Sequence, residues 1–412
     1  MQAIAACRIC GNTHLDDVLD LGEQALTGVF PGSLNESVAT APLQLVKCSG
    51  RNGDGCGLLQ LNHSCSPEAM FQGDYGYRSD LNATMVGHLR SKALKLAKIA
   101  DLAAGDLIVD IGSNDGTLLK SYPKDKKLKL VGVDPAGVQF GPYYPSTIEL
   151  ISDFFDARLI KRFRDSKAKV VTSIAMFYDL ESPLAFMKGV ESVLADEGIW
   201  HFEQSYMPQM LANNSYDTVC HEHLEYYALK QVKWMIDKTS LKIIDIEFNN
   251  VNGGSFGVTV ASKASKYKAC TEKTAAVLRK ERHLELDTPK PFRSFRKNVM
   301  TQRDRLKQFL GSAQNEGKTV LGLGASTKGN VILQFCGVTP REIPLIGEVN
   351  SRKVGRYTPG TLIPICHQND VIKMNPDYLL VLPWHFKEFF MQNRTRFGDI
   401  RFVFPLPTLS IE

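Results

Sequence analysis

Two copies of one local pattern, a short apolar run followed by a glycine turn, most constrain how this 412-residue chain folds. The first copy reads LIVDIGSNDGTLL at residues 107–119, and the second reads VLGLGASTKGNVILQF at residues 320–335. Each is predicted to be a strand, a turn and a helix start. Further short apolar runs alternate with segments of helical periodicity, as in mainly parallel sheets covered by helices. We therefore predict an α/β protein with two different sheet-containing units.

The sequence around these two units indicates where the domains divide. Residues 1–80 hold five of the nine cysteines, and a helix is predicted to begin near residues 81–83. From residue 264 to 311 the chain is highly charged and helix-compatible, interrupted only by Pro289 and Pro291. We predict a cysteine-rich N-terminal domain at 1–80, an α/β domain at 81–265, and a helical connection with a second α/β domain at 266–412.

Composition excludes several function classes. Lysine and arginine total 49 and aspartate and glutamate total 44, which leaves a formal charge of +5. This scattered excess does not indicate a nucleic-acid partner, although it suits an anionic small molecule. No apolar run reaches the ~18 residues of a membrane span, and residues 1–10 lack the apolar centre of a signal peptide. We expect a cytoplasmic protein whose cysteines stay reduced or bind metal.

Two pairs of cysteines predict a metal site. Cys7 and Cys10 form a CxxC, and Cys48 and Cys56 form a looser second pair. Four thiolates in two pairs are the usual ligands of a closed, tetrahedral, structural zinc site. Cys65 is an alternative fourth ligand, and unrelated buried thiols are the alternative to a metal site.

The first glycine turn predicts a nucleoside site. Its GxxxG lacks one glycine of the dinucleotide GxGxxG pattern, so no pyrophosphate cradle is implied, and S-adenosylmethionine (SAM) is favoured over a dinucleotide. Asp134 ends a second strand about 20 residues on, where an acidic side chain commonly binds ribose hydroxyls. Asp153 follows a third candidate strand and is expected to bind the adenine amine. The remaining candidate cofactor residues are Asp110, Gly112, Asn114 and Gly116. The alternative is an ordinary α/β turn.

A cluster of histidines, glutamates and tyrosines predicts acid/base chemistry. Residues 216–229 read YDTVCHEHLEYYAL. On a helix His221 and His223 would point ~200° apart, so they would not share a metal ion. Histidine titrates near neutrality, glutamate orients it, and tyrosine stabilises an enolate oxygen. The alternative is an interface rich in hydrogen-bonding side chains.

The second glycine turn predicts a phosphate site. Ser326, Thr327, Lys328 and Asn330 surround a helix N-terminus, which attracts anions. Downstream, Lys353, Arg356 and Tyr357 bring further charge and a hydroxyl, which together suit a diphosphate. The alternatives are a non-binding turn, or an NAD site in which Glu348 is the acidic residue.

Taken in order, these motifs resemble the three-domain, zinc-containing sugar C-methyltransferases that act on nucleotide-linked deoxysugars. The shared motifs span essentially the whole chain: CRxCG at 7–11, CGLLQL at 56–61, YGYRS at 75–79, DIGSNDG at 110–116, FYDLESP at 177–183, HEHLEYY at 221–227, NGGS at 252–255, GASTKGN at 324–330 and GRYTPG at 355–360.

The resemblance implies a zinc-binding N-terminal domain, a class I SAM methyltransferase core and a Rossmann-like C-terminal domain that holds the sugar nucleotide. The implied reaction methylates C-3 of a nucleotide-diphosphate-linked 4-keto-6-deoxyhexose. His223 would remove the C-3 proton, and Glu222 would support the site. Tyr75 and Ser255, which lie in shared motifs, join the expected substrate residues. A monomer or weak homo-oligomer is expected. The nucleotide of the substrate is expected to be dTDP, GDP or CDP.

One position departs from this family. Relatives often carry tyrosine immediately before the HEH triplet, where it assists proton transfer or stabilises the enolate, whereas this chain has Cys220. Either Cys220 is a bystander, or Tyr77, His221 or another hydroxyl takes that part. An O- or N-methyltransferase acting on a sugar nucleotide is the alternative function.

Overall fold

A computed structural model describes residues 2–49, 55–71 and 76–412. It is an α/β structure with three larger sheets of four, seven and six strands and one small two-stranded sheet. None of the helices in these described ranges is both long and apolar enough to cross a membrane.

The N-terminal cysteine-rich part is built on an antiparallel sheet. Its elements are β1 (Gln2–Ala3), β2 (Leu15–Ala25), β3 (Thr40–Cys48), β4 (Leu59–Leu61), β5 (His63–Ser64) and α1 (Pro67–Phe71). Strands β2, β3 and β4 are neighbours, and β1 pairs with β5 separately. The fourth strand of the larger sheet comes from residues 225–226, far along the chain.

The central part carries the seven-stranded sheet. Its elements are α2 (Ala83–Ile99), β6 (Leu107–Ile111), β7 (Lys129–Val133), α3 (Gly137–Phe140), β8 (Ile148–Ile151), α4 (Ala157–Asp165), β9 (Ala168–Ile174), α5 (Pro183–Val193), β10 (Leu194–Ser205), α6 (Met207–Ala212), β11 (Glu225–Tyr226), α7 (Leu229–Ile236), β12 (Leu241–Asn249) and β13 (Ser255–Ser262). The strand order is β12-β13-β10-β9-β6-β7-β8. Strands β6 to β10 run parallel, while β13 pairs antiparallel with both of its neighbours.

The helix expected directly after the first glycine turn is absent. Residues 113–118 form turns, and only a short 3-10 turn follows at Leu119–Ser121. Gly112, Asn114 and Gly116 have φ angles of 74°, 51° and 75°, which a right-handed helix cannot contain. The backbone therefore stays open beside the carboxyl end of β6.

The C-terminal part begins with two helices, and the six-stranded sheet follows them in the sequence. Its elements are α8 (Thr271–His283), α9 (Lys290–Asn315), β14 (Val320–Leu323), α10 (Thr327–Phe335), β15 (Ile346–Glu348), β16 (Ile365–His367), α11 (Gln368–Lys373), β17 (Tyr378–Val381), α12 (Lys387–Gln392), β18 (Arg401–Phe404) and β19 (Ser410–Ile411). Strands β14 to β18 are parallel. The second glycine turn does start a helix, α10, which Ser326 caps by accepting from the backbone N–H of Gly329. The domain boundaries near residues 80 and 265 stay predictions.

Candidate active site and zinc centre

A cavity of about 500 Å³ lies at the carboxyl ends of the central parallel strands, where it also meets the C-terminal part. Asp134 lines it from the central part, Lys328 lines it from the C-terminal part, and His223 lines it from the loop before β11. Parallel α/β sheets place ligands at this edge, and the volume suits one or two small molecules.

The end lined by Asp134 has the geometry of a nucleoside site. The carboxylate of Asp134 accepts hydrogen bonds from the backbone N–H of Asn114 at 2.7 Å and of Ala136 at 2.8 Å. Each oxygen keeps a second lone pair for a ribose hydroxyl. A Cβ added to Gly112 would lie 2.9 Å from Met176, so only glycine fits there. Next to this turn, the Asp110 carboxylate accepts a hydrogen bond from the Thr172 hydroxyl, and burial raises the pKa of Asp110 to about 7.

The remaining cofactor candidates surround this end. Asp153 lines the cavity beyond β8, and one of its oxygens pairs with Arg158 at 2.7 Å. Asn114 accepts from the backbone N–H of Ser79 and thereby holds segment 77–79 beside the turn. Gly116 lies behind the lining, where a Cβ would meet the Tyr144 ring at 3.0 Å.

His223 lies in the cavity wall with a defined tautomer. Its Nδ1 is 2.8 Å from the carbonyl oxygen of Thr218, and a carbonyl only accepts, so Nδ1 carries the proton. The lone pair is therefore on Nε2, with which no residue in the described ranges pairs. Burial and the charge of Lys328 lower the pKa of His223 to about 3. The hydrogen bond to Thr218 raises this pKa, but by less than the other two effects lower it. The imidazole is therefore neutral at pH 7, and its Nε2 is unprotonated.

Two further groups of the same loop line the cavity beside His223. The reactive atoms of Cys220, Glu222 and His223 lie within 4.8 Å of one another. Burial raises the pKa of Glu222 to about 7, although the charge of Lys353 opposes this. Burial also raises the pKa of the Cys220 thiol, which stays protonated. A Cβ on Gly28 would lie 2.5 Å from the Glu222 carboxylate, so glycine allows this close approach.

Two lysines, the half-buried Lys328 and the buried Lys353, line the cavity from the C-terminal part. Lys328 donates to the carbonyl oxygen of Asn252 at 3.0 Å, and Lys353 donates to that of Ala325 at 2.8 Å. Burial lowers the pKa of both lysines. Each ammonium has three donors, so both keep donors for a ligand at the N-terminus of α10.

The four predicted cysteine ligands converge outside the cavity. Their Sγ atoms lie within 4.8 Å of one another, with Cys7 and Cys56 3.5 Å apart and Cys10 and Cys48 also 3.5 Å apart. Four thiolates 2.3 Å from a central Zn²⁺ would be ~3.8 Å apart, so the cluster fits a closed zinc site. Cys65 is not part of this group.

Comparison with known families agrees with this geometry. A zinc binding domain matches residues 7–71, a methyltransferase domain matches 82–246, and the C-methyltransferase C-terminal domain matches 250–407. The chain is 29% identical over 413 residues to the C-methyltransferase NovU of Streptomyces niveus, and the alignment covers 99% of this chain and 96% of NovU. The zinc binding, methyltransferase and C-methyltransferase C-terminal domains are thus matched in order along this chain. The chain is a SAM-dependent C-methyltransferase with a four-cysteine zinc centre.

Solved methyltransferases show weaker similarity. The plantazolicin methyltransferase BpumL in complex with SAH has a TM-score of 0.36 and 12% identity, covering 45% of this chain and 87% of that chain. A SAM-dependent methyltransferase from Clostridium acetobutylicum has a TM-score of 0.32 and 12% identity, covering 43% and 92%. TM-scores this low support no further conclusion about the C-methyltransferase described here.

Two other predicted catalytic residues of this C-methyltransferase, His221 and Tyr77, do not share the position of His223 in the cavity wall. His221 is buried away from the cavity lining, and its Nε2 is 3.1 Å from the carbonyl oxygen of Ala41 in β3. It therefore fastens the loop to the N-terminal sheet. Tyr77 lines the cavity but is 42% exposed, at the cavity mouth.

The predicted substrate residues divide into two groups. Ser255 lines the cavity with Lys328 and Lys353, and its hydroxyl donates to the carbonyl oxygen of Val251. Tyr75 falls outside the described residues.

The second group joins the C-terminal part to the N-terminal segment 27–31. Asn330 donates to the carbonyl oxygen of Thr27, and Arg356 donates to that of Phe30. The backbone N–H of Tyr357 donates to the carbonyl oxygen of Pro31. None of these three residues is in the cavity lining, so they shape the site from behind.

Tyr178 and His385 are among the cavity residues that were not predicted from the sequence. Tyr178 lines the cavity against His223, and His385 lines it near Lys328. Tyr178 lies in the shared motif FYDLESP, which was the available signal. His385 follows β17, and no pattern in the sequence marks it.

Replacing Asp134 with alanine is expected to weaken SAM binding about 10- to 100-fold, because hydrogen bonds to a charged group contribute ~1.5–3 kcal/mol. Calorimetric titration with SAM measures the change. Asp125→Ala, at an exposed position outside the cavity, is the matched control. A SAM affinity equal to that of the unaltered enzyme would exclude the ribose contact.

Proposed function

We propose that this enzyme methylates C-3 of a nucleotide-diphosphate-linked 4-keto-6-deoxyhexose, through an enolate, in branched deoxysugar biosynthesis. The observation that carries the proposal is the neutral His223, whose free Nε2 lies in the wall of a cavity that Asp134, Lys328 and Lys353 also line. A base is required because carbon, unlike oxygen or nitrogen, has no lone pair with which to attack a methyl group.

The residues account for each proton and electron pair of this reaction. The ketone at C-4 acidifies the C-3 hydrogen, the C–H bond breaks, and Nε2 of His223 takes the proton. The electron pair of the enolate then forms the new bond from C-3 to the methyl carbon, while the bond from the methyl to sulfur breaks. SAM supplies the methyl group as an electrophile. His223 afterwards releases its proton to solvent, and the ketone is restored.

The lysine-lined part of the cavity suits the diphosphate of such a substrate. Lys328 and Lys353 are cations with spare donors, and α10 begins beside them at Ser326 and Thr327. Helix N-termini and lysines both favour phosphate oxygens. A substrate anchored there would extend its sugar toward His223. The relative NovU carries the name C-methyltransferase, which agrees with carbon as the acceptor.

Mass spectrometry in deuterated water tests the proposal. The purified enzyme is incubated with SAM and a panel of dTDP-, GDP- and CDP-linked 4-keto-6-deoxyhexoses. We expect one substrate to gain one methyl group, and the same substrate to exchange its C-3 hydrogen when S-adenosylhomocysteine replaces SAM. Methylation without C-3 exchange would overturn C-methylation through an enolate and favour an O- or N-methyltransferase.

A further inference from the structure

Tyr178 is a cavity residue that the reaction described so far does not use. Strand β9 ends at Ile174, and Ala175 follows with a φ angle of 53°, which turns the chain into a 3-10 turn at Phe177–Asp179. Positive φ is uncommon for alanine and costs ~1 kcal/mol or more, so the surrounding structure fixes this turn. The turn brings Tyr178 to the carboxyl end of the central sheet, beside the cavity.

Tyr178 is held directly against the base. Its ring packs edge-on against the imidazole of His223, with the ring centroids 4.2 Å apart. The backbone N–H of Leu224 donates to the carbonyl oxygen of Tyr178 at 2.8 Å, which fixes the register between the turn and the loop. The side chain is almost entirely buried, yet no residue in the described ranges forms a hydrogen bond with its hydroxyl. A buried phenol without a protein partner is available to a ligand in the cavity.

We propose that the Tyr178 hydroxyl donates a hydrogen bond to the C-4 oxygen of the substrate as that oxygen becomes the enolate oxygen. This proposal rests on the proposed function. Tyr178 and His223 pack together. One group can therefore take the C-3 proton while its neighbour stabilises the charge that develops on the C-4 oxygen, two bonds from C-3. A donor aimed at developing charge in a water-excluded site is among the largest contributions to catalysis.

Other donors in the cavity suit this position less well. Tyr77 is at the mouth, His221 is bonded to Ala41, and the Cys220 thiol is a weak donor. Glu222 donates only in the fraction of molecules in which it is protonated, because its pKa is about 7. Burial and the neighbouring acidic groups raise the pKa of Tyr178 well above its usual value, so it keeps its proton throughout the neutral range.

The test compares Tyr178→Phe with Tyr267→Phe, whose hydroxyl bonds to the carbonyl oxygen of Glu197 away from the cavity. The first readout is C-3 deuterium exchange of the 4-keto sugar nucleotide in the presence of S-adenosylhomocysteine, which reports enolate formation alone. The second is the turnover number for methyl transfer, and the third is the dissociation constant for SAM.

We expect Tyr178→Phe to slow exchange and turnover together by about 10²–10³-fold. The SAM affinity should stay within twofold of the unaltered enzyme, and Tyr267→Phe should be unaffected in all three. Exchange within threefold of the unaltered enzyme would overturn the role of Tyr178 alone. If the unaltered enzyme itself exchanges no C-3 hydrogen with any substrate of the panel, the proposed function fails instead. If Tyr178→Phe also loses SAM binding, Tyr178 supports the structure of the site, and its catalytic role is rejected.

Discussion

Replacing His223 with alanine is expected to lower the turnover number for methyl transfer by about 10²–10⁴-fold while SAM affinity stays unchanged. The imidazole lies in the cavity wall, and its tautomer is set by the Thr218 carbonyl, so Nε2 is free to accept a proton. The carboxylate of Asp134 belongs to a different strand end and does not touch the loop. Removing the base should therefore abolish the carbon nucleophile without disturbing the nucleoside site.

A second variant separates the loss of the base from a change of shape. In His223→Asn the amide nitrogen takes the place of Nδ1 and still donates to Thr218, while nothing replaces Nε2. Both variants should bind SAM normally and should exchange no C-3 hydrogen. His283→Ala, at an exposed position of α8, is the control for histidine loss elsewhere. Methyl transfer by His223→Asn at more than one tenth of the normal rate would exclude His223 as the base.

The two strands that end at glycine turns could be predicted from the sequence, because a strand and its turn depend on local patterns. A buried apolar run followed by glycine specifies a strand and a turn with positive φ, and both occur at β6 and β14. The cysteine cluster could likewise be predicted, because Cys7 and Cys10 are joined by a short turn. The helix after the first turn was predicted wrongly, since Asn114 also takes a positive φ there.

The assignment of roles within the HEH triplet depends on contacts that no local pattern records. His221 and His223 are both buried or half-buried, and the sequence treats them alike. Only the tertiary structure shows that His221 contacts β3 and that His223 lines the cavity. Tyr178 was missed for the same reason, because its contact with His223 joins residues 45 positions apart in sequence.

The zinc centre is connected to the catalytic loop through one shared sheet. Strand β11, two residues beyond His223, is the fourth strand of the N-terminal sheet, where Glu225 pairs with Gln60 of β4. Arg8, between the first two cysteine ligands, lies 3.9 Å from the Glu225 carboxylate and donates to the carbonyl oxygen of Leu61 at 2.6 Å. The cysteines thus hold in place the strand that carries the end of the catalytic loop.

Loss of zinc is therefore expected to abolish methyl transfer, although no zinc ligand lines the cavity. Structural zinc contributes an apparent ~10–16 kcal/mol of folding free energy, as large as the ~5–15 kcal/mol by which a whole domain is stable. The N-terminal sheet should consequently unfold without the metal and release β11 and His223. One face of the seven-stranded sheet packs against α2 in a core cluster that contains no residue of the N-terminal sheet, so SAM affinity should fall by less than tenfold.

The test uses Cys7→Ser, and chelation of the unaltered enzyme as an independent route to the metal-free protein. The measurements are bound zinc, the temperature of the first unfolding transition, SAM affinity and the methyl transfer rate. We expect loss of zinc, a lower first transition and a rate at least 100-fold below normal. Cys65→Ser, outside the cluster, should retain all four properties. A zinc-free protein with the normal rate would show that the N-terminal sheet holds the catalytic loop without its metal, because β11 would then be kept in place by strand pairing alone.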